Sequence, residues 1–132
     1  MKKHTFVKGL EGSCDLLGER TAIIGFSSSK TQELERLLLV PHEYGFTPKN
    51  VSLGTTEEVI KDIQSVLAGE PREFMQTALW NGCFYLWHSG ICPHIPAGID
   101  KAKELFSSGV VAAKLRELIP VPCHLLRVLH RQ

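Results

Sequence analysis

The stretch Glu73-Phe74-Met75-Gln76-Thr77-Ala78-Leu79-Trp80-Asn81-Gly82-Cys83-Phe84-Tyr85-Leu86-Trp87-His88-Ser89-Gly90 decides the fold of this chain. Phe74, Met75, Ala78, Leu79, Cys83, Leu86 and Trp87 recur at the period of one helix face, and Trp80, Phe84 and Trp87 form another apolar line at steps of four and three. A helix that is apolar nearly all round belongs inside a core. Pro71 suits its first turn and Gly90 its C-terminal cap. The rest of the chain has to cover it.

Upstream, Thr55-Thr56-Glu57-Glu58 offers a Thr cap with Glu three residues later. Val59, Ile60, Ile63, Val66 and Leu67 then fall on one helical face until Gly69 stops the run. Downstream, Pro96 opens a third helix with Ile99, Ala102, Leu105 and Phe106 inward, closing near Ser108-Gly109. Val111 to Ile119 makes a short fourth helix, ended by Pro120 and Pro122. From Cys123 to Gln132 the residues Leu125, Leu126, Val128 and Leu129 allow one more amphipathic turn or two.

The first forty residues have a different period. Thr5-Phe6-Val7, Arg20 to Phe26 and Glu35 to Val40 are short apolar runs bounded by Gly, Ser or Pro, which is the signature of strands. Strands first and about four helices after predict an α/β or α+β domain. No repeat, linker or boundary divides residues 1–132, which read as a single domain. Three short strands make a narrow sheet for four helices, and an unpaired strand edge invites pairing with another chain. The expectation is a homo-oligomer that covers this open edge.

Composition narrows the function classes. Of 132 residues 43% are apolar and 22% charged, with 15 Lys+Arg against 14 Asp+Glu, which excludes a disordered or low-complexity chain. A formal charge of +1 also argues against a protein dedicated to nucleic acid or membrane surfaces. The start, Met1 to Gly9, has two early lysines but no apolar run of signal or membrane-spanning length. Cys14, Cys83, Cys92 and Cys123 match no zinc spacing and are too sparse for a disulfide scaffold. A reducing, cytoplasmic setting without membrane association is expected.

Several local clusters carry chemistry by residue type. His88, Cys92 and His94, with Cys123 or His124 as a distant fourth, include zinc-ligand types, but paired ligands at Cys-x₂₋₄-Cys spacing are missing and the cluster reads as a loop. Ser27-Ser28-Ser29 lacks the Gly-x-Ser-x-Gly frame of a nucleophile elbow and, with Lys30 and Thr31, reads as a polar loop. Cys14 reads as a semi-exposed structural thiol, and the line Trp80, Phe84 and Trp87 as core rather than a base-stacking surface. Lys2-Lys3 and Arg127, His130 and Arg131 read as solvated basic termini.

The run Asn81 to Gly90, then Ile99-Asp100-Lys101-Ala102-Lys103-Glu104-Leu105-Phe106-Ser107-Ser108-Gly109, then Ala113-Lys114-Leu115-Arg116-Glu117-Leu118, resembles the C-terminal end of anthranilate phosphoribosyltransferase, a glycosyl transferase family of tryptophan biosynthesis. In that family an Asn-Ala-Ala helix ends in Gly, a Gly-x-x-x-Ala helix ends in Asp-Ser-Gly, and a Lys-Leu-x-x-Leu helix closes the chain. Lys8-Gly9-Leu10-Glu11-Gly12 resembles the family's His-Gly-x-Asp-Gly element. Tyr44-Gly45-Phe46 and Leu67-Ala68-Gly69-Glu70 sit where the family has similar residues. The resemblance covers about residues 5–119 and implies the C-terminal portion of a phosphoribosyltransferase α/β domain.

Two family motifs that build the phosphoribosyl pyrophosphate site, Gly-Thr-Gly-Gly-Asp and Lys-His-Gly-Asn, do not occur in this chain. The family also carries an adjacent Asp-Glu pair that holds magnesium; here those positions read Cys14-Asp15, and a thiol is a soft ligand where Mg²⁺ wants hard oxygen. The resemblance thus leaves Asp15 as a weak metal position and Glu11 as a weaker one, while Lys8 replaces the family's His and is a candidate phosphate contact. No catalytic residue carries over. It implies magnesium as the family's cofactor but none for this chain alone, which is expected to be inactive. Phosphoribosyl pyrophosphate or nucleic acid would be a partner only of a full-length parent. The wording of Lys8 to Gly12 points to a paralogous branch with a changed active site, some of whose members bind nucleic acid. A nucleic-acid-binding module and a structural or oligomerisation remnant are the competing readings.

Overall fold

A computed structural model describes residues 5–7, 15–16, 18–27, 33–47, 52 and 54–118. It has an α/β architecture in which the strands precede the helices along the chain. Strands β1 (Thr5–Val7), β2 (Ala22–Ser27) and β3 (Leu34–Leu39) form an antiparallel sheet in the order β1-β2-β3. Helices α1 (Thr56–Leu67), α2 (Glu73–His88), α3 (Ile95–Ser107) and α4 (Val110–Leu118) follow.

The register sets the two faces of the sheet. Val7 pairs with Ile24 and Ile24 with Leu37, while Ala22 pairs with Leu39, so these side chains share the core face. Ile24 and Leu39 are each 1% exposed. On the other face Phe6 pairs with Gly25, Gly25 with Arg36, and Ile23 with Leu38. The strand period of two therefore sends Phe6 and Leu38 outward, and both are exposed.

A 3-10 turn, Pro41–Tyr44, carries the chain from β3 toward the helices. It closes at Gly45, whose φ of 81° is a left-handed conformation that glycine adopts without a Cβ clash. The amide of Phe46 donates to the carbonyl of Pro41 at 3.1 Å, and this fold-back buries the Phe46 ring. Phe46 and Tyr44 then meet the Trp80 ring in tilted contacts, with centroids 5.3 and 5.7 Å away.

Helix α1 begins as its sequence dictates. The Glu58 amide donates to Thr55 Oγ1 at 3.3 Å and the Thr55 amide to Glu58 Oε2 at 2.7 Å, a reciprocal capping box. Only Val66 of its apolar residues is buried, and Ile63, which the periodicity places inward, is 44% exposed. Helix α2 starts at Glu73 with Arg72 as its cap residue, so Pro71 precedes the helix instead of occupying its first turn. Its interior matches the sequence: Met75, Leu79, Trp80, Cys83 and Phe84 are buried, with Trp80 and Cys83 at 0% exposure. Pro96 lies in the first turn of α3, which buries Ile95, Gly98, Ile99 and Ala102. Helix α4 buries nothing among the described residues. The segment from Cys123 to Gln132 lies outside them.

Helices α2 and α3 approach closely at one point. A Cβ on Gly98 would stand 2.6 Å from the backbone carbonyl oxygen of Cys83 and 3.2 Å from its Cα, and backbone atoms cannot turn aside as a side-chain tip can. Gly98→Ala should push the helices apart and destabilise the protein by about 1–3 kcal/mol, with Gly98→Val worse. Urea denaturation followed by far-ultraviolet circular dichroism measures this. A Gly98→Val protein as stable as wild type would show that the two helices do not touch there.

Candidate functional site

The residues singled out by family resemblance lie in one segment, of which Asp15 and Leu16 are described; Lys8, Glu11 and Cys14 lie outside the described residues. Asp15 is exposed, while Leu16 beside it is 2% exposed and belongs to the core. What fixes this pair is a side chain on α2. The Leu16 amide donates to Asn81 Oδ1 at 2.7 Å, and Asn81 Nδ2 donates to the Leu16 carbonyl at 3.1 Å. Nδ2 also donates to the carbonyl of Thr77, one turn back on α2, at 3.1 Å.

This clamp uses the full geometry of an amide. One oxygen accepts and one NH₂ donates twice, so a single side chain satisfies both backbone polar groups of Leu16 as a neighbouring strand would. The bond to Thr77 fixes the rotamer of Asn81 against its own helix. The apolar side chain of Leu16 is driven inward, and the next residue up the chain, Asp15, stays at the surface. Sequence spacing offered no sign of this contact, because Leu16 and Asn81 are 65 positions apart. The available signals were the polar side chain at position 81 between Trp80 and Cys83 and its place at the start of the run that resembles the family.

The donor chemistry of the segment does not suit magnesium. Mg²⁺ is held by hard oxygen ligands, and the position next to Asp15 carries a thiol. Among the described residues no group of three or more His, Cys, Asp or Glu is placed to hold a metal ion. His88, Cys92 and His94 are used otherwise. The His88 ring stacks on Phe84, centroids 5.7 Å apart and 3° from parallel; Cys92 is buried; His94 Nδ1 accepts from the Ala97 amide at 3.1 Å as the N-terminal cap of α3. Ser27 ends β2, while Ser28, Ser29, Lys30 and Thr31 lie outside the described residues, as do the basic termini, Cys123 and His124.

The aromatic line on α2 is core at its centre. Trp80 and Phe84 are 0% and 1% exposed, and Trp87 is partly buried against the same cluster. Bases cannot stack on rings closed in this way. Cys83 is equally enclosed: its thiol donates to the Trp80 carbonyl at 3.0 Å, and burial pushes its pKa up from 9.0 to about 11. A thiol held protonated is a poor nucleophile. No helix of the described residues is long and apolar enough to cross a membrane.

With that geometry in place, the relatives of the chain can be set beside it. No protein-family profile matches. The chain is 34% identical over 90 residues to anthranilate phosphoribosyltransferase of Listeria monocytogenes, covering 66% of this chain and 26% of that protein. It is 32% identical over 114 residues to anthranilate phosphoribosyltransferase of Bacillus cereus, covering 84% of this chain and 32% of the relative. A protein of the same name from Streptococcus mutans is 33% identical over 72 residues, 54% of this chain and 22% of the relative. The fold is that of a phosphoribosyltransferase-like domain. The chain belongs with the C-terminal part of the anthranilate phosphoribosyltransferase family, and it spans 26% to 32% of the length of the Listeria and Bacillus members.

Two measurements check the site. Asn81→Ala leaves the Leu16 N–H and C=O without their partners and should cost about 1–3 kcal/mol of stability, with faster exchange of the Leu16 amide hydrogen. Asn81→Asp keeps the acceptor and loses the donor. Unchanged exchange at Leu16 in Asn81→Ala would refute the clamp. For Cys83 the folded pKa lies above the unfolded one, so its contribution to stability is complete below pH 9.0 and is lost as pH rises toward about 11. Subtracting the stability profile of Cys83→Ala from that of wild type over this range should leave a downward slope. A flat difference would mean that the thiol is solvated.

Proposed function

We propose that this chain is the C-terminal portion of an anthranilate phosphoribosyltransferase-like protein and that it does not transfer a phosphoribosyl group to anthranilate by itself. The observation that carries the reading is the clamp of Asn81 on Leu16. It ties Leu16, the neighbour of Asp15, to the central helix of a chain related to that family.

The inactivity follows from what such a transfer requires. As the pyrophosphate leaves, negative charge builds on it, and catalysis depends on groups already aimed at that charge. The family's two phosphate-binding motifs are missing from the sequence, and Cys14 stands at one of the two carboxylate positions. The residues of this chain supply a different part: Asn81 orients the segment, Leu16 anchors it in the core, and Asp15 stands exposed at the surface. In a longer protein the phosphate-binding half would have to come from elsewhere, and Lys8 is a candidate contact for that phosphate.

The test is direct. Incubated with phosphoribosyl pyrophosphate, anthranilate and magnesium, the chain should release no pyrophosphate above the buffer blank, with or without Asp15→Ala. Magnesium-dependent release that Asp15→Ala abolishes would overturn the proposal.

A further inference from the structure

We propose that His94 is a proton-operated latch on the contact between α3 and α2: its neutral ring caps the first turn of α3 and holds it on α2, and a second proton on the ring releases that turn. His94 precedes α3 with extended backbone, φ −155° and ψ 165°, and its Nδ1 accepts from the Ala97 amide at 3.1 Å. A cap side chain reaches the amide of the second or third helical residue. The second here is Pro96, which has no N–H, so Ala97 is the donor left for the cap to satisfy.

Only a neutral imidazole can make this bond. With Nδ1 as acceptor the ring proton sits on Nε2; a second proton goes to Nδ1, turns that atom into a donor facing the N–H of Ala97, and puts a positive charge at the positive end of the α3 dipole. Among the described residues no carboxylate forms an ion pair with His94 to hold such a charge. The turn before it brings Cys92, a buried thiol. Helix α2 brings Cys83, Tyr85 and His88 in its last turns and Glu73 at its far end, and on α3 itself the first charges are Asp100 and Lys101, the latter paired with Glu104. The ring is exposed, so solvent protons reach it.

The turn that His94 caps is the one pressed onto α2. The Gly98 amide donates to the His94 carbonyl at 3.1 Å, and Gly98 is the point where a Cβ would stand 2.6 Å from the carbonyl oxygen of Cys83. Ile95, between them in the chain, is buried in the core. Fraying of this turn on protonation therefore reaches beyond a free helix end and loosens Ile95 and Gly98 from α2.

Three proteins test this: wild type, His94→Asn with a cap that does not titrate, and His94→Ala with none. Urea denaturation at about pH 8 and about pH 5, the two sides of the range in which imidazole changes charge, gives the ratio of folding constants between wild type and His94→Asn, in which the other histidines cancel. The neutral ring makes the cap, so its contribution is present at the upper pH and lost toward the lower one. That ratio should fall by roughly threefold or more, while the ratio of His94→Asn to His94→Ala stays constant. Over the same range the protection of the Gly98 amide against hydrogen exchange should fall in wild type and not in His94→Asn. Nitrogen NMR of wild type at the upper pH should place the ring proton on Nε2. A ratio indifferent to pH, equal Gly98 protection in the two proteins, or a neutral ring with its proton on Nδ1 would each overturn the proposal.

Discussion

Helix α2 carries apolar side chains round nearly its whole circumference, and the arrangement of the other elements follows from the need to keep water off it. Each large side chain fully buried contributes on the order of 1.5–3 kcal/mol, so Trp80, Phe84, Leu79 and Met75 together outweigh any surface contact in the molecule. Tyr44 and Phe46 cover Trp80 from the turn after β3, and Ile24, Leu39 and Leu16 join the same cluster from the strand layer. On another side α3 comes close because position 98 has no side chain. Among the described residues two buried side-chain polar atoms have no hydrogen-bond partner, Thr5 Oγ1 at the sheet edge and, inside this core, the indole N–H of Trp80. Its desolvation is a local cost that the surrounding aromatic packing offsets.

The same helix also positions the segment of interest. Asn81 lies one residue after the most buried tryptophan, on the side of α2 that meets Leu16. Core and candidate site are therefore not separate layers, and a change that tilts α2 moves Asp15 with it. That coupling ties the position of Leu16, and of Asp15 beside it, to the packing of α2.

Much of this was legible in the sequence, and the reason differs by element. The capping box at Thr55 and Glu58, the proline at the start of α3 and the short apolar runs of β2 and β3 are local signals, and the helix caps and the strand pairing fulfil them. Ile63 falls on the apolar face of α1 yet is exposed, because periodicity says which residues share a face but not how far the neighbouring layer extends to cover it. Pro71 fits a first helical turn, but the chain still runs extended at Arg72, with φ −123° and ψ 168°, and the helix opens only after it. The histidines and cysteine at the end of α2 read as a cluster in sequence, while in space stacking, burial and helix capping occupy them separately. Asn81 opens the run that resembles the family, but its contact with Leu16 was not legible, because the partner is distant in the chain and is a piece of backbone, which leaves no pattern of residue types to find.

The clamp has a consequence for chemical ageing. Asn81 is followed by Gly82, the dipeptide in which an asparagine amide is lost most readily, since an unhindered glycine nitrogen can attack the side-chain carbonyl. In the folded chain that nitrogen belongs to the hydrogen-bonded ladder of α2, and the amide it would attack is tied to Leu16 and Thr77. The reaction thus waits on unfolding. A molecule that has opened and lost the amide as ammonia carries, once water opens the cyclic imide, Asp or isoaspartate at position 81, without the NH₂ that held the Leu16 carbonyl, so damage of this kind accumulates in copies that have already left the native state.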